Sequence, residues 1–349
     1  MMSNKLIVFG PNLRKGGGLI LLKDLLSLNN NNQFIWFIPN IFKNYEISNS
    51  FYFKEGIIQR LYAEIKLFFY SLKIRNTLIL NGSMPFLPIF GKKILFIQNR
   101  LIIDGTNLSN YKIKTKIRIK LERLLLKLYW NNINYVIVQT SSMKESLIRS
   151  LKLKKKNYNK IKVIGFYNYK NLSKKNNLKK NDNFEFIFPA YYQPHKNFEK
   201  LLLSWSMFIK TRPNSKLYLT ISETEIDEIC EKINIEKNIL NSSVFYLGEI
   251  SHEKVLEFMH KCDALIFPSK IESFGLPLLE AKEIGLPIIA SELDYVRDVC
   301  NPQESFDPNS SISIYRALNR FCLIKNDTDA YHTPLEFLKK TKDLFENFK

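Results

Sequence analysis

The sequence predicts an α/β protein with two doubly wound, parallel-sheet domains. Three observations predict it. The chain has 349 residues, about right for two domains of ordinary size. Short apolar runs bounded by turn residues alternate with longer helical patterns in both halves. A polar, Lys/Asn-rich stretch from Tyr167 to Asn183 separates the halves and reads as a linker. The expected division is a first domain over 1–168, a second over 183–330, and a last helix over 331–349 that returns to the first.

In the first half the strand candidates are Lys5 to Phe9, Phe34 to Ile38, Thr77 to Leu80, Ile94 to Ile97 and Tyr135 to Gln139. Runs that are apolar on both faces suit a parallel sheet buried under helices. Between them, Ile57 to Ile74 and Ile113 to Leu128 carry helical patterns, and Ser142 with Glu145 forms a capping-box pattern that opens another helix. In the second half, Glu185 to Phe188, Leu217 to Ile221, Val244 to Leu247, Ala264 to Phe267 and Pro287 to Ala290 are strand candidates. Phe198 to Ile209 and Lys254 to Cys262 are the helices among them, the first capped by Asn197. Thr333, Pro334 and Glu336 open the final helix.

Bulk properties bound the function. Hydrophobic residues make up 45% of the chain, ample for packed interiors. Cys230, Cys262, Cys300 and Cys322 have neither disulfide-frame nor zinc spacing, which points to a reducing compartment. Leu6 to Phe9 is too short for a signal core, and no stretch has the roughly 18 apolar residues of a spanning helix. The expected location is the cytoplasm, with peripheral attachment to the inner face of the cell membrane. The net charge of +19 favours anionic partners: phosphates, nucleic acid or acidic lipid.

The most informative segment runs from Pro268 to Ala281, directly after the Ala264 to Phe267 strand. Strand, small-residue loop, helix is the geometry of an anion site, because free backbone N–H groups and the helix dipole converge there. Gly275 would let the backbone approach a ligand. Glu272 and Glu280 lie eight residues apart, and carboxylates beside an anion site make sense if they accept hydrogen bonds from sugar and ribose hydroxyls.

Glu272-Ser273-Phe274-Gly275-Leu276-Pro277-Leu278-Leu279-Glu280-Ala281 resembles the E-x7-E signature of the retaining glycosyltransferases of family 4, the glycosyl transferases group 1 type. Ser273 departs from the family's usual Gly. The similarity continues through Gly285 to Ser291 and Phe306-Asp307-Pro308, and shows at Gly248, Ser251 and Leu256. It is looser in the first half, through Gly16 to Gly18 and Gln139 to Lys144. The resemblance implies a GT-B fold: two Rossmann-like domains facing a cleft, the first on the acceptor side, the second binding a nucleotide sugar. It implies that Glu280 binds the ribose, that Glu272 sits near the donor sugar, and that Ser273, Phe274, Gly275 and Leu276 meet sugar or phosphate.

Lys196, in Pro189 to Asn197, matches the lysine of the family's G-R-x-x-x-x-K-G motif, which holds the leaving diphosphate. The arginine position falls on Tyr191, so half of that cationic clamp is absent. Lys196 and Glu272 are the expected catalytic pair, with Tyr191 also at the donor. Gly17 and Gly18 would face the donor phosphate or simply make a turn. Many relatives present a first-domain histidine to the sugar, but the first histidine here is His195. Gln98, Asn99 and Asp104 could stand in at the donor sugar or acceptor, or form an ordinary polar loop. The four histidines are too dispersed for a metal cluster, and Asp327-Thr328-Asp329 reads as a turn.

Lys112 to Lys127 carries seven basic residues and one acidic one. Ile113, Ile117, Leu121, Leu124 and Leu128 form one helical stripe beside them, expected to pack on the core while the basic flank steers the protein to lipid phosphates. The expected function is metal-independent, retaining hexosyl transfer from a nucleotide-diphosphate sugar to a lipid-linked saccharide in cell-surface polysaccharide synthesis, such as O-antigen or other lipopolysaccharide, with no separate cofactor. The alternatives are an inactive GT-B scaffolding subunit and a basic nucleic-acid-binding protein. RNP-type aromatics, zinc spacing and a helix-turn-helix pattern are all missing from the sequence, which counts against the latter.

Overall fold

Thirteen strands of three to six residues alternate with helices along the chain in the computed structural model, which describes residues 5–27, 33–45, 47–80, 84–167 and 183–326. The first sheet holds β1 (Leu6–Phe9), β2 (Phe34–Pro39), β3 (Ser50–Phe53), β4 (Asn76–Ile79), β5 (Lys92–Phe96), β6 (Tyr135–Val138) and β7 (Ile161–Val163), in the order β3-β2-β1-β4-β5-β6-β7. The second holds β8 (Glu185–Phe188), β9 (Lys216–Leu219), β10 (Val244–Tyr246), β11 (Ala264–Phe267), β12 (Ile288–Ser291) and β13 (Glu304–Phe306), in the order β10-β9-β8-β11-β12-β13. Every strand pair is parallel. Both orders reverse direction, between β1 and β4 and between β8 and β11, and crevices beyond the strand ends at such switch points are where open α/β sheets bind ligands.

The helices of the first half are α1 (Gly16–Ser27), α2 (Ile57–Lys73), α3 (Arg100–Ile103), α4 (Ile113–Tyr129) and α5 (Ser141–Leu151). Those of the second are α6 (Phe198–Thr211), α7 (Glu223–Ile233), α8 (His252–Lys261), α9 (Leu276–Ile284), α10 (Asp294–Arg297) and α11 (Ser311–Asn326). The second core is built round an aromatic cluster. Phe186 of β8 meets Trp205 and Phe208 of α6 at ring separations of 5.7 and 5.8 Å. Each fully buried large apolar side chain contributes about 1.5–3 kcal/mol. The first core lies on both faces of its sheet: Ile7, Phe37 and Val136 on one, Val8, Trp36 and Phe96 on the other.

All ten predicted strands form, two with the predicted ends and the rest with ends shifted by one or two residues. β3, β7 and β13 were not foreseen. They are outer strands or next to an edge in three to four residues, and only Phe53, Ile161 and Phe306 among them are buried, so no apolar run marks them. Two expected caps are corrected. Thr140, not Ser142, caps α5, its Oγ1 accepting from the Met143 amide at 3.3 Å. Asn197 makes no capping bond; it sits in left-handed backbone at φ 66° and donates instead to the carbonyls of Pro268 and Pro308, at 3.1 and 2.8 Å.

A third correction concerns α4. The stripe Ile113, Ile117, Leu121, Leu124 and Leu128, expected to face the core, is exposed along its length. Ile119, Leu125 and Leu126 are the buried residues of this helix. Arg123 also turns inward, bonding the carbonyls of Leu101 and Asp104. The expected linker, the final helix and the Asp327-Thr328-Asp329 turn lie largely or wholly outside the described residues.

Candidate active site

The C-terminal ends of both sheets face a cleft of about 450 Å³. On the second-half side, β11 ends at Phe267 and α9 begins at Leu276. Gly275 is the N-cap of α9 at φ 66°, a left-handed conformation that a side chain would strain. It turns the chain so that the Glu272 to Gly275 loop borders the cleft ahead of the first free amides of α9. Pro277 in the first helical turn loses no helix hydrogen bond.

Lys196 reaches the cleft from the β8–α6 loop. Its Nζ lies 2.5 Å from Oε1 of Glu272, with both side chains largely buried. An ammonium has three donors, so Glu272 can orient Lys196 and leave donors for an incoming oxyanion. The two Asn197 bonds fasten this loop to the segments after β11 and β13. His195, beside Lys196, points away to the first half, its Nδ1 2.9 Å from the Tyr111 hydroxyl. Burial, with the Lys196 charge adding, pushes the His195 pKa down to about 4. Burial lifts the Tyr111 hydroxyl to about 12, so both are neutral at ordinary pH.

Glu280 sits deeper, on the second turn of α9, and is buried. His252 Nε2 lies 2.8 Å from its Oε1, and the Tyr167 hydroxyl donates to the same oxygen at 3.3 Å. That hydrogen bond raises the His252 pKa, against an opposing effect of burial. His252 opens α8 behind the Ser251 cap, whose Oγ accepts from the Lys254 amide.

The opposite wall is formed by the start of α1 with Gln98 and Gln139. Gly16, Gly17 and Gly18 open α1 after β1 and line the cleft. Gly17 is pressed against α9: a Cβ there would stand 3.1 Å from Cδ1 of Leu276. Tyr191 lines the cleft beside Gly16, where a Cβ would lie 3.7 Å from its ring. Gln98 and Gln139 complete this side. The buried Oε1 of Gln98 has no hydrogen-bond partner among the described residues.

The expected donor residues Gly17, Gly18, Tyr191, Lys196, Glu272, Ser273, Phe274, Gly275, Leu276 and Glu280 thus line one cavity, and Gln98 joins them. Asn99 and Asp104 do not line it. The Asn99 side chain caps α3 by accepting from the Leu101 amide, and the Asp104 carboxylate pairs with Arg100 at 3.4 Å. These contacts fit the polar-loop alternative, in which a loop beside a short helix uses its side chains to satisfy its own backbone and charge. His252, set aside as dispersed, is brought to Glu280 by α8. Arg100 was missed altogether. Its amide donates to Ser273 Oγ at 2.8 Å and its guanidinium to the Glu272 carbonyl at 3.3 Å, so it spans the two halves. Ser142 adds a second bridge, its amide donating to Asp298 at 2.8 Å. No local pattern could have revealed partners 156 to 173 residues away.

Residues 169–332 match the family described as glycosyl transferases group 1. The match falls on the second half of the chain. Over 115 residues the chain is 30% identical to the serotype-specific mannosyltransferase WbdA of Escherichia coli, covering 33% of this chain and 14% of WbdA. It is 26% identical over 180 residues to the O-antigen chain mannosyltransferase RfbU of Salmonella typhimurium, covering 51% of this chain and 47% of RfbU. The chain therefore spans less than half the length of either relative. The crystal structure of Anabaena HepE in complex with UDP and glucose superimposes with a TM-score of 0.68 at 15% identity, over 91% of this chain and 89% of HepE. At that identity the likeness establishes the fold, which is GT-B, with its two parallel sheets of seven and six strands.

Proposed function

We propose that this protein is a retaining, metal-independent glycosyltransferase that moves a hexose from a nucleoside-diphosphate sugar to a hydroxyl of a lipid-linked saccharide, in the building of a surface polysaccharide. The observation that carries the reading is the convergence, in one cleft, of a cation, a free helix N-terminus and two carboxylates of the E-x7-E signature: Lys196, the start of α9, Glu272 and Glu280. The relatives' names support mannose as the sugar, and HepE's bound UDP supports a nucleotide site in this fold.

In this reading Glu280, held by His252, accepts the ribose hydroxyls. Lys196 and the amides of α9 take the diphosphate. The acceptor oxygen attacks the anomeric carbon as its bond to the diphosphate oxygen breaks. The electron pair leaves with the diphosphate, and the acceptor proton passes to a diphosphate oxygen. Attack on the leaving-group face retains configuration. Charge grows on the leaving oxygen in the transition state, which is where a preorganised cation lowers the barrier. The open acceptor atom of Gln98 suits a sugar hydroxyl. Cross-cleft bonds from Arg100 and Ser142 keep the halves together and limit water at the reacting carbon.

The test is a panel of GDP- and UDP-hexoses, read first by thermal shift and then by nucleoside diphosphate release with and without a lipid-linked saccharide. A sugar-specific rise in melting temperature and acceptor-dependent release are expected. Failure of every nucleotide sugar to bind the folded protein would sink the proposal.

A further inference from the structure

The first half carries a broad apolar surface far from any core. Besides the α4 stripe, in which Ile113 is 73% and Leu128 66% exposed, α2 presents Ile57, Ile58, Leu61, Ile65, Phe69 and Leu72 to solvent, with Ile57 at 81%. These six recur on one helical face, opposite to Ala63 and Leu67, which the core buries. The two helices that carry the stripes are linked. The segment between β4 and β5 joins them: the Tyr129 hydroxyl of α4 donates to the Phe86 carbonyl at 3.0 Å, and the Phe86 amide donates to Glu64 of α2 at 2.9 Å. Phe86 and Phe90 of that segment are themselves partly exposed.

Charge distinguishes this surface from an ordinary protein interface. On α4 the apolar stripe is edged on one side by Lys116, Lys120 and Lys127 and on the other by Lys114 and Arg118. Glu122, the sole acid of that helix, is largely buried near Arg118 and Arg60 and adds no exposed negative edge. Apolar side chains in a row, bordered on both sides by cations, match a bilayer whose acyl region lies just beneath anionic phosphates.

We infer that α2, α4 and the Phe86–Phe90 segment form a membrane-docking face that inserts its apolar stripes among the acyl chains of an anionic bilayer while the α4 lysines bind lipid phosphates. Lysine stems can lie along the apolar stripe with their ammonium groups at phosphate level. No described helix is long and apolar enough to cross a membrane, so the protein would lie on the surface. The face is also wired to the cleft. Arg123 of α4 holds the carbonyls of Leu101 and Asp104, in the segment that follows Gln98 at the cleft wall. If the proposed transfer is correct, docking would fix this wall at a set height above the lipid that carries the acceptor.

The experiment is flotation of the full chain with vesicles of phosphatidylcholine alone or with one-fifth phosphatidylglycerol, at low and high salt. The parent should float with the anionic vesicles and retain a measurable bound fraction at high salt, because buried apolar area is not screened. Ile117→Asn with Leu124→Asn should lower partitioning by about tenfold or more, since two inserted side chains are lost. The same pair should leave melting temperature and nucleotide binding unchanged. Partitioning equal to the parent's would overturn the inference. So would loss of melting temperature, which would mean that the stripe is covered by the chain's own segment 327–349, or conversion of a dimer to a monomer in sedimentation, which would mean a second copy covers it. Nucleotide binding is measured on the same samples, so a failed donor site and a failed docking face give different results.

Discussion

The two walls of the cleft are built in different ways. The second-half wall presents side chains, with Lys196, Glu272, His252 and Glu280 in two contacting pairs at 2.5 and 2.8 Å. The first-half wall presents the glycines of residues 16–18, the α1 residues Leu19, Ile20, Leu21 and Lys23, and Gln98 and Gln139. Among the described residues Lys23 is its one charged lining residue; Arg100 and Asp104, set back from the cleft, pair with each other, and Arg100 also bonds the Glu272 carbonyl of the opposite half. On the proposed function the contrast is a division of labour: one wall would bind and polarise the donor, and the other would supply shape and closure.

The largest expected effect breaks the second wall at its cation. Lys196→Ala should lower kcat by about 10²–10³-fold, the scale for loss of one preorganised donor to a developing oxyanion. Lys196→Arg should recover part, since a planar fork does not reproduce a compact ammonium. Single-turnover transfer from saturating donor measures the chemical step alone. An Ala variant at the parent rate would place the diphosphate's cation elsewhere and remove the asymmetry between the walls.

Next comes Glu280→Ala, which should weaken nucleotide affinity by about ten- to a hundredfold, the equivalent of one charge-assisted hydrogen bond. Asn99→Ala and Asp104→Ala should leave that affinity unchanged, because their side chains serve α3 and Arg100. Calorimetric titration with nucleoside diphosphate distinguishes the three, and equal losses would mean that both walls hold the donor.

Arg100→Ala tests the first wall by itself. It removes the guanidinium bonds to the Glu272 carbonyl and Ser142. Its expected cost is about tenfold in kcat/KM through poorer closure, with the nucleotide dissociation constant held. A parallel fall in nucleotide affinity would show that Arg100 shapes the donor pocket directly.

The smallest effects are in pH, where two histidines act in opposite senses. The folded pKa of His195 is lowered to about 4, so the unfolded chain takes up the proton first and stability is lost as pH falls from about 6.5 towards 4. The folded pKa of His252 is raised by Glu280. Its contribution is complete below the unfolded value of about 6.5 and is lost as pH rises through the folded one. Denaturation midpoints across pH 4 to 8 should lose the upper slope in His252→Gln and the lower slope in His195→Gln. A variant that keeps its slope would assign the titration to another group.

Glu272 and Glu280 of the second wall were legible because they lie in one continuous stretch, Glu272 to Ala281, and Lys196 through its own motif; His252, twenty-eight residues before Glu280, was not. The first wall was legible only as far as its glycines and Gln98. Asn99 and Asp104 have the residue types of a sugar site, and their partners, a backbone amide and a neighbouring arginine, decide their role. Alternation of apolar runs revealed ten strands, and it missed β3, β7 and β13, where few of the side chains are buried. The α4 stripe shows the limit of periodicity: it identifies an apolar face and says nothing of what the face meets. Arg100 left no trace in its neighbours, because its meaning lies in residues beyond position 270.

Asn197 carries a further consequence, for how the protein ages. Its carboxamide, buried at the end of β8's loop, holds Lys196 in place by donating to two carbonyl oxygens. Asparagine is thermolabile, and hydrolysis of this amide would leave a carboxylate, which has no hydrogens to donate, facing the oxygens of Pro268 and Pro308. Heated samples would then lose turnover while still folded, one molecule at a time, through a change of a single mass unit per chain.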